Sequence, residues 1–156
     1  MPLLLPLLFA AALSAAEPSD SASTTTMKVH VLRLRPGADL LKSITDYVQR
    51  NKISAGIILT TVGSLTETRL RFANQPNATA KTGKVEIVSL VGTVEAGGGH
   101  LHLSVSDGNG VTTGGHLMEG CKVYTTAEIA IGELPGLRFL RQHDPASGYP
   151  ELQIAK

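Results

Sequence analysis

The sequence has little of the chemistry that several classes of protein need. Its 156 residues include one cysteine, no tryptophan, three phenylalanines and three tyrosines. A single cysteine, Cys121, excludes an internal disulfide framework and a zinc site built on a Cys-x-x-Cys pair. Few aromatic residues are present on which nucleic-acid bases could stack, and a net charge of +1 indicates no strongly basic face. Nucleic acid is therefore not an expected partner.

The first 26 residues differ in composition from the rest of the chain. Their apolar run, MPLLLPLLFAAALSAA, is too short to span a bilayer. It ends in small residues, with Ser14 and Ala16 at positions −3 and −1 of a candidate cleavage site. This pattern predicts a signal-like leader and a disordered linker over residues 1–26, secretion of the protein, and no membrane span. The alternative is a leader that is not a working signal, in a cytoplasmic protein whose folded domain opens at Met27.

The remaining residues predict one domain that is rich in short strands. Asp39 is a candidate N-cap for a helix that runs to about Asn51. Alternating or β-branched segments predict strands: Lys28–Arg35, Gly56–Val62, Thr66–Phe72, Lys84–Val94, His100–Ser106, Val111–Leu117 and Lys122–Ile131. We therefore predict an α+β fold, an antiparallel β-sheet with one main helix, over residues 27–134, followed by an irregular C-terminal tail over residues 135–156.

Three of the five histidines lie in one stretch, GGHLHLSVSDGNGVTTGGHL, at residues 98–117. His100 and His102 are two residues apart on a predicted strand, so both side chains leave one face while the intervening leucines enter the core. A three-residue loop, Gly108–Gly110, would place His116 opposite His102, whereas a loop of even length would send His116 to the other face. The hydrophobic pattern favours the odd loop.

Three imidazoles on one face predict a site for zinc or another divalent metal, with a coordination position open to water or a small molecule. The alternative is a polar histidine cluster satisfied by hydrogen bonds. His30 and His143 lie outside this stretch and are expected to be ordinary surface or edge residues.

Three other polar residues are candidates for supporting this site. Glu128 and Glu86 each lie in an otherwise apolar strand, where a carboxylate could orient a histidine. The alternative for both is a solvated sheet face or an ion pair at a subunit interface. Ser104 is expected to share the histidine face. No catalytic residue can be assigned, and Cys121 is expected to be a small buried apolar residue.

Five phrases in this order resemble the PPC (plant and prokaryote conserved) domain: RLRPGADLLKSI, AGIILTTVGSLTETRLRFAN, VEIVSLVGTV, GGHLHLSVSDGNGVTTGGHL and VYTTAEIAIG. The resemblance implies a homotrimer, with His100, His102 and His116 as metal ligands. It implies the stand-alone type, because Arg33–Gly37 only superficially matches the AT-hook found in plant members. A second function that it implies is an oligomerisation and partner-binding module without catalytic activity.

Overall fold

The computed structural model describes residues 26–156, so the predicted leader lies almost wholly outside the described residues. The described part contains, in chain order, β1 (Lys28–Leu34), α1 (Leu40–Arg50), β2 (Gly56–Arg71), β3 (Thr79–Glu95), β4 (Gly98–Ser106), β5 (Thr112–Leu117), β6 (Lys122–Glu133), β7 (Arg138–His143) and β8 (Pro150–Ala155). The predicted α+β class is confirmed. No helix in residues 26–156 is long and apolar enough to cross a membrane.

Six strands form one antiparallel sheet in the order β1-β6-β2-β3-β4-β5. Strand β2 has 16 residues, so it pairs with β6 along most of its length and still reaches β5 at its end. There Leu70 lies opposite Leu117, and Arg71 lies opposite His116. This extra pairing joins β2, β3, β4 and β5 into a closed ring of strands, and it brings Arg71 beside the histidine stretch.

Strand β2 is continuous, although the sequence predicted two separate strands here, Gly56–Val62 and Thr66–Phe72, with Gly63 and Ser64 between them. Gly63 has a φ of +146°, and a Cβ atom there would collide with the Thr126 carbonyl group on β6. The pairing of β2 with β6 shifts register between Gly63 and Leu65. The glycine therefore permits a bulge and a close approach between strands within the sheet.

Helix α1 begins as the sequence predicts. The Asp39 carboxylate accepts a hydrogen bond from the Lys42 backbone N–H at 3.1 Å, which caps the first turn. Leu40, Ile44 and Val48 recur at helical spacing and are fully buried in the core that the sheet shares with the helix. Cys121 is also buried and free, as expected, and burial raises the pKa of its thiol.

The C-terminal tail, predicted to be irregular, instead forms a second, two-stranded sheet from β7 and β8. The Phe139 side chain is buried and its backbone N–H donates to the Ser54 carbonyl group at 2.9 Å. Arg141 donates to Glu95 and to Thr93 on β3. These contacts hold the hairpin against the domain, and they join residues far apart in the sequence, which is why local patterns do not reveal them.

His30 is a second correction, because its side chain is buried rather than on the surface, although β1 is an edge strand of the sheet. Its Nδ1 atom lies 3.0 Å from the Tyr47 hydroxyl oxygen on α1, and its Nε2 atom lies 2.8 Å from Glu133 Oε2 on β6. In the alternating pattern of β1, His30 is a polar residue and is therefore expected to face solvent. The helix covers this face of β1, so the His30 side chain faces α1 instead. His30 therefore belongs to the packing between helix and sheet.

Candidate functional site

The β4–β5 hairpin has the register that the hydrophobic pattern favours. The Asp107 backbone N–H donates to the Val111 carbonyl group at 3.0 Å, so the loop consists of residues 108–110. Gly110 has a φ of +79°, a conformation that glycine adopts without strain. His102 lies opposite His116 across the hairpin. The prediction of an odd loop that places these two histidines on one face is confirmed.

The three histidines converge on the outer face of this hairpin. Each offers a ring nitrogen, and these nitrogens all lie within 4.8 Å of one another. The Nε2 atoms of His100 and His102 are 3.1 Å apart. Two nitrogens bound to one tetrahedral zinc ion lie about 3.3 Å apart, since each Zn–N bond is about 2.0–2.1 Å. Small side-chain rotations would therefore bring the triad to ligand spacing.

Two of the three histidines, His100 and His116, favour the neutral imidazole, the form that binds metal. Burial lowers the pKa of His100 below 6.5, and the neighbouring His102, Arg141 and Arg71 lower it further, while Glu151 opposes them. Burial also lowers the pKa of His116, and the Arg71 guanidinium is the next largest cause. The two histidines with lowered pKa are therefore ready to donate a nitrogen lone pair at neutral pH.

One ring nitrogen of the triad has no partner. His116 Nδ1 is buried and makes no hydrogen bond within residues 26–156. A buried polar atom without a partner is costly, so the protein groups around His116 leave its ring incompletely satisfied. This unpaired nitrogen, together with three histidines at near-ligand spacing, fits a divalent metal. His100, His102 and His116 would hold the ion.

The structure separates Glu128 and Glu86 from the triad and leaves Ser104, the third proposed supporting residue, beside it. Glu128 is exposed on β6 opposite Arg33 and Val62, with β2 and β3 between it and β4. Glu86 pairs with Ser106, which is four residues from His102, or about 13 Å along the strand. Ser104 does share the histidine face, opposite Gly114, and lies one position along that face from His102.

A cleft of ≈ 480 Å³ opens beside the triad, and its lining includes residues that sequence reasoning missed. The lining includes His100 and His116 together with Arg71, Arg141, Tyr149 and Glu151. His102 lines an adjoining cavity that also reaches Arg141 and Glu151. Arg71 lies near the end of a predicted alternating strand, where a charged residue is common. Arg141, Tyr149 and Glu151 lie in the tail that was predicted to be irregular. No local signal marked them.

Comparison with known proteins shows the family to which this chain is similar. The sequence model of the Plants and Prokaryotes Conserved (PCC) domain matches residues 21–135. The chain is also 44% identical over 129 and 133 residues to the bifunctional protein GlmU of two Synechococcus strains, covering 83% and 85% of this chain. It spans only about one-fifth of the length of these relatives, 20% and 21%.

Solved structures share the fold. A hypothetical protein from Salmonella enterica is 47% identical, with a TM-score of 0.85 over 86% of this chain and 97% of its own. A metal-containing protein from Archaeoglobus fulgidus is 24% identical, with a TM-score of 0.71 over 85% of this chain and 99% of its own. A protein from Bacteroides thetaiotaomicron, called a candidate DNA-binding protein, is 20% identical, with a TM-score of 0.70 over 84% and 98%. The family match over most of the chain shows that this protein belongs to the Plants and Prokaryotes Conserved domain family.

Proposed function

We propose that this protein is a trimeric PCC-domain protein that binds zinc or a comparable divalent metal through His100, His102 and His116. The observation that carries the proposal is the convergence of three imidazole nitrogens within 4.8 Å of one another on one sheet face. The metal-containing protein of Archaeoglobus fulgidus has the same fold, which is consistent with such a site.

Three histidine ligands leave one position of a tetrahedral ion open. A metal bound there would act as a Lewis acid toward water or a small molecule in that position. The chain itself contributes three neutral donors, a hairpin that fixes two of them in register, and an adjoining cleft. These features favour a site that receives a ligand over a closed structural metal site.

Metal analysis of the purified protein tests the proposal. We expect about one divalent ion per chain after equilibration with zinc and removal of excess metal. His102→Ala should abolish retention of the ion, because it removes one of the three ligands. His143→Ala is the matched control, since His143 is an exposed histidine of the same chain. Equal metal content in the wild type and in His102→Ala would contradict the proposal.

A second candidate function, assembly and partner binding without catalysis, is favoured by a different observation. Five valines on strands β1, β2 and β3 are each more than half exposed: Val29, Val31, Val62, Val88 and Val91. Contiguous exposed apolar patches mark interaction sites in soluble proteins, and we propose that these valines contribute to such a patch. Val91 lies opposite His102, so one of these valines is a neighbour of the triad. Two further copies of this chain are the proposed occupants, and both functions can coexist.

Light scattering tests the assembly. We expect three times the mass of the 16.4 kDa chain, and we expect this mass to persist when all three triad histidines are changed to alanine. Val31→Asp should reduce the mass, because it introduces a charge on the most exposed of these valines. Val111→Asp, at an exposed position beside the hairpin loop, is the control. A monomeric wild-type protein would exclude the trimer.

DNA binding is the least favoured function. The name of the Bacteroides thetaiotaomicron protein refers to DNA, but that likeness carries only the fold. The net charge of +1 and the absence of tryptophan favour neither a long nucleic-acid backbone nor stacked bases as a ligand. A gel-shift assay with an AT-rich duplex at physiological salt is expected to show no retarded band.

A further inference from the structure

We propose that the cleft between the histidine triad and the β7–β8 hairpin binds a small oxyanion, a carboxylate or a phosphate, which pairs with Arg71 and occupies the open position of the metal. This inference rests on the proposed metal site and names the class of ligand that the site receives. It is carried by the placement of two arginines, by the charge of the site and by the shape of the cleft.

Arg71 is the first of the two arginines. Its backbone lies opposite His116 where β2 meets β5, and its side chain lines the same cleft as His100 and His116. No hydrogen bond or ion pair joins its guanidinium group to any other group within residues 26–156. A guanidinium presents a rigid fork of donors that matches the oxygens of a carboxylate or phosphate. Arg71 therefore offers this fork, without an internal partner, beside the triad.

Arg141 is the second arginine, and its role differs. Its Nε atom donates to Glu95 Oε1 at 3.2 Å, and its Nη2 atom donates to Thr93 Oγ1 at 2.6 Å. Glu95 is buried and balances the charge of Arg141. Arg141 thus fixes the hairpin as the second wall of the cleft, and Arg71 remains the arginine available to a ligand.

The charge of the site calls for an anion. Neutral histidines would leave both charges of a divalent ion uncompensated, and Arg71 adds a further positive charge. Glu151 is the carboxylate that lines the cleft, and a single carboxylate cannot balance a divalent ion and a guanidinium. Like charges held close together in a partly desolvated site repel one another, so an anion that contacts both the metal and Arg71 would relieve that repulsion.

The shape of the cleft limits the ligand. Its ≈ 480 Å³ volume lies within the range of small-molecule sites. Glu151 lies at the hairpin wall and would repel a second anionic group directed toward it. The geometry therefore favours a small ligand with one oxyanion group directed into the space between the triad and Arg71.

Titration of the cobalt-loaded full chain with inorganic phosphate and, separately, with acetate tests this inference. Cobalt reports ligand exchange through its visible absorption, so metal loading and anion binding are observed in one sample. We expect one of the two anions to change the spectrum saturably. Arg71→Gln should weaken that binding by about tenfold or more, the contribution of a hydrogen bond to a charged group. Arg71→Lys keeps the charge but loses the fork of donors, so its affinity for the anion should lie between those of the wild type and Arg71→Gln.

Arg35→Gln is the matched control, because Arg35 is an exposed arginine directly after β1. The affinity of the Arg35→Gln variant for the anion should equal that of the wild type. The better-binding anion identifies the ligand as a carboxylate or a phosphate. Failure to load cobalt would refute the metal site itself. Normal loading with a spectrum that neither anion changes, or with equal affinities for Arg71→Gln and the wild type, would overturn the inference.

Discussion

Two histidine environments lie on different faces of the same sheet, and they differ in how their ring nitrogens are satisfied. His30 is 8% exposed and has a protein partner at each nitrogen, Tyr47 and Glu133. In the triad on β4 and β5, His100 and His102 contact each other, and His116 has a buried nitrogen with no partner in the described part of the chain.

The contrast separates a structural histidine from one available to a ligand. The Nε2–H group of His30 donates to a carboxylate, and the Tyr47 hydroxyl occupies the opposite side of the ring, so neither nitrogen is open to a metal. In the described part of the chain, the triad histidines make no side-chain hydrogen bond except the contact between His100 and His102. Satisfied hydrogen-bond capacity, more than burial, therefore distinguishes the two environments.

The largest expected effect tests the triad side of this comparison. His102→Ala should weaken zinc binding by more than about a hundredfold, beyond the range seen when only an outer-shell partner is lost. The stability of the metal-free protein should change little, because His102 is exposed. Isothermal titration calorimetry measures the affinity, and urea unfolding of metal-free samples measures the stability. A large loss of stability with unchanged zinc affinity would show that His102 is a structural residue and not a metal ligand.

The second prediction concerns the buried histidine. His30→Ala should lower the free energy of unfolding by about 2 kcal/mol, because it leaves a cavity at a buried position and removes the hydrogen-bond partner of Tyr47 and Glu133, which are both partly buried. Zinc content should be unchanged. Urea denaturation with His143→Ala as the exposed control measures the difference. If His30→Ala also released the metal, the two environments would be coupled rather than separate.

Glu133 provides a smaller effect that depends on pH. The hydrogen bond from His30 lowers the pKa of the Glu133 carboxyl group, and Lys28 lowers it further. The ionised carboxylate therefore adds stability above its ordinary pKa of 4.5, and this contribution is lost as pH falls through the lowered pKa. Glu133→Gln should lower the free energy of unfolding by about 1 kcal/mol at pH 7.

The difference between Glu133→Gln and the wild type should shrink as the pH of the denaturation experiment falls below 4.5. Glu119→Gln, at an exposed position after β5, should show no comparable dependence. A difference that grows in acid would contradict the stabilising role of the ionised carboxylate.

The smallest expected effect concerns the titration of the triad itself. In metal-free protein, NMR should give titration midpoints below 6.5 for His100 and His116, because burial disfavours their charged forms. Arg71→Gln should raise the midpoint for His116 only in part, since the guanidinium is the second cause after burial. A midpoint above 6.5 for either histidine would show that the triad stabilises the charged form.

The sequence predicts those parts of the fold and site that depend on residues close together in the chain. The cap at Asp39 and the spacing of Leu40, Ile44 and Val48 define the helix. Strand alternation and the glycines of the short loop define the β4–β5 register, and the register places His102 opposite His116. Each of these features is determined within about twenty residues.

The failures all involve distant partners. The sequence predicts a strand end at Gly63, whereas the structure packs Gly63 closely against Thr126 of the neighbouring strand. The sequence likewise predicts a surface position for His30, whereas the side chain contacts Tyr47 of α1. The β7–β8 hairpin has too little hydrophobic periodicity to be predicted, because contacts to Ser54 and Glu95 hold it in place. Glu86 and Glu128 share the polar character of a supporting residue, but only the strand order decides their distance from the triad.

The sequence by itself determined that three histidines share one face of a hairpin, because side-chain direction alternates along a strand and the loop length sets the parity. Only the tertiary structure decided what surrounds them. The pairing of β2 with β5 brings Arg71 to His116, and the folded tail adds Arg141 as a second wall. These contacts join segments far apart in the chain, so their formation depends on the packing of the whole domain and not on any local pattern.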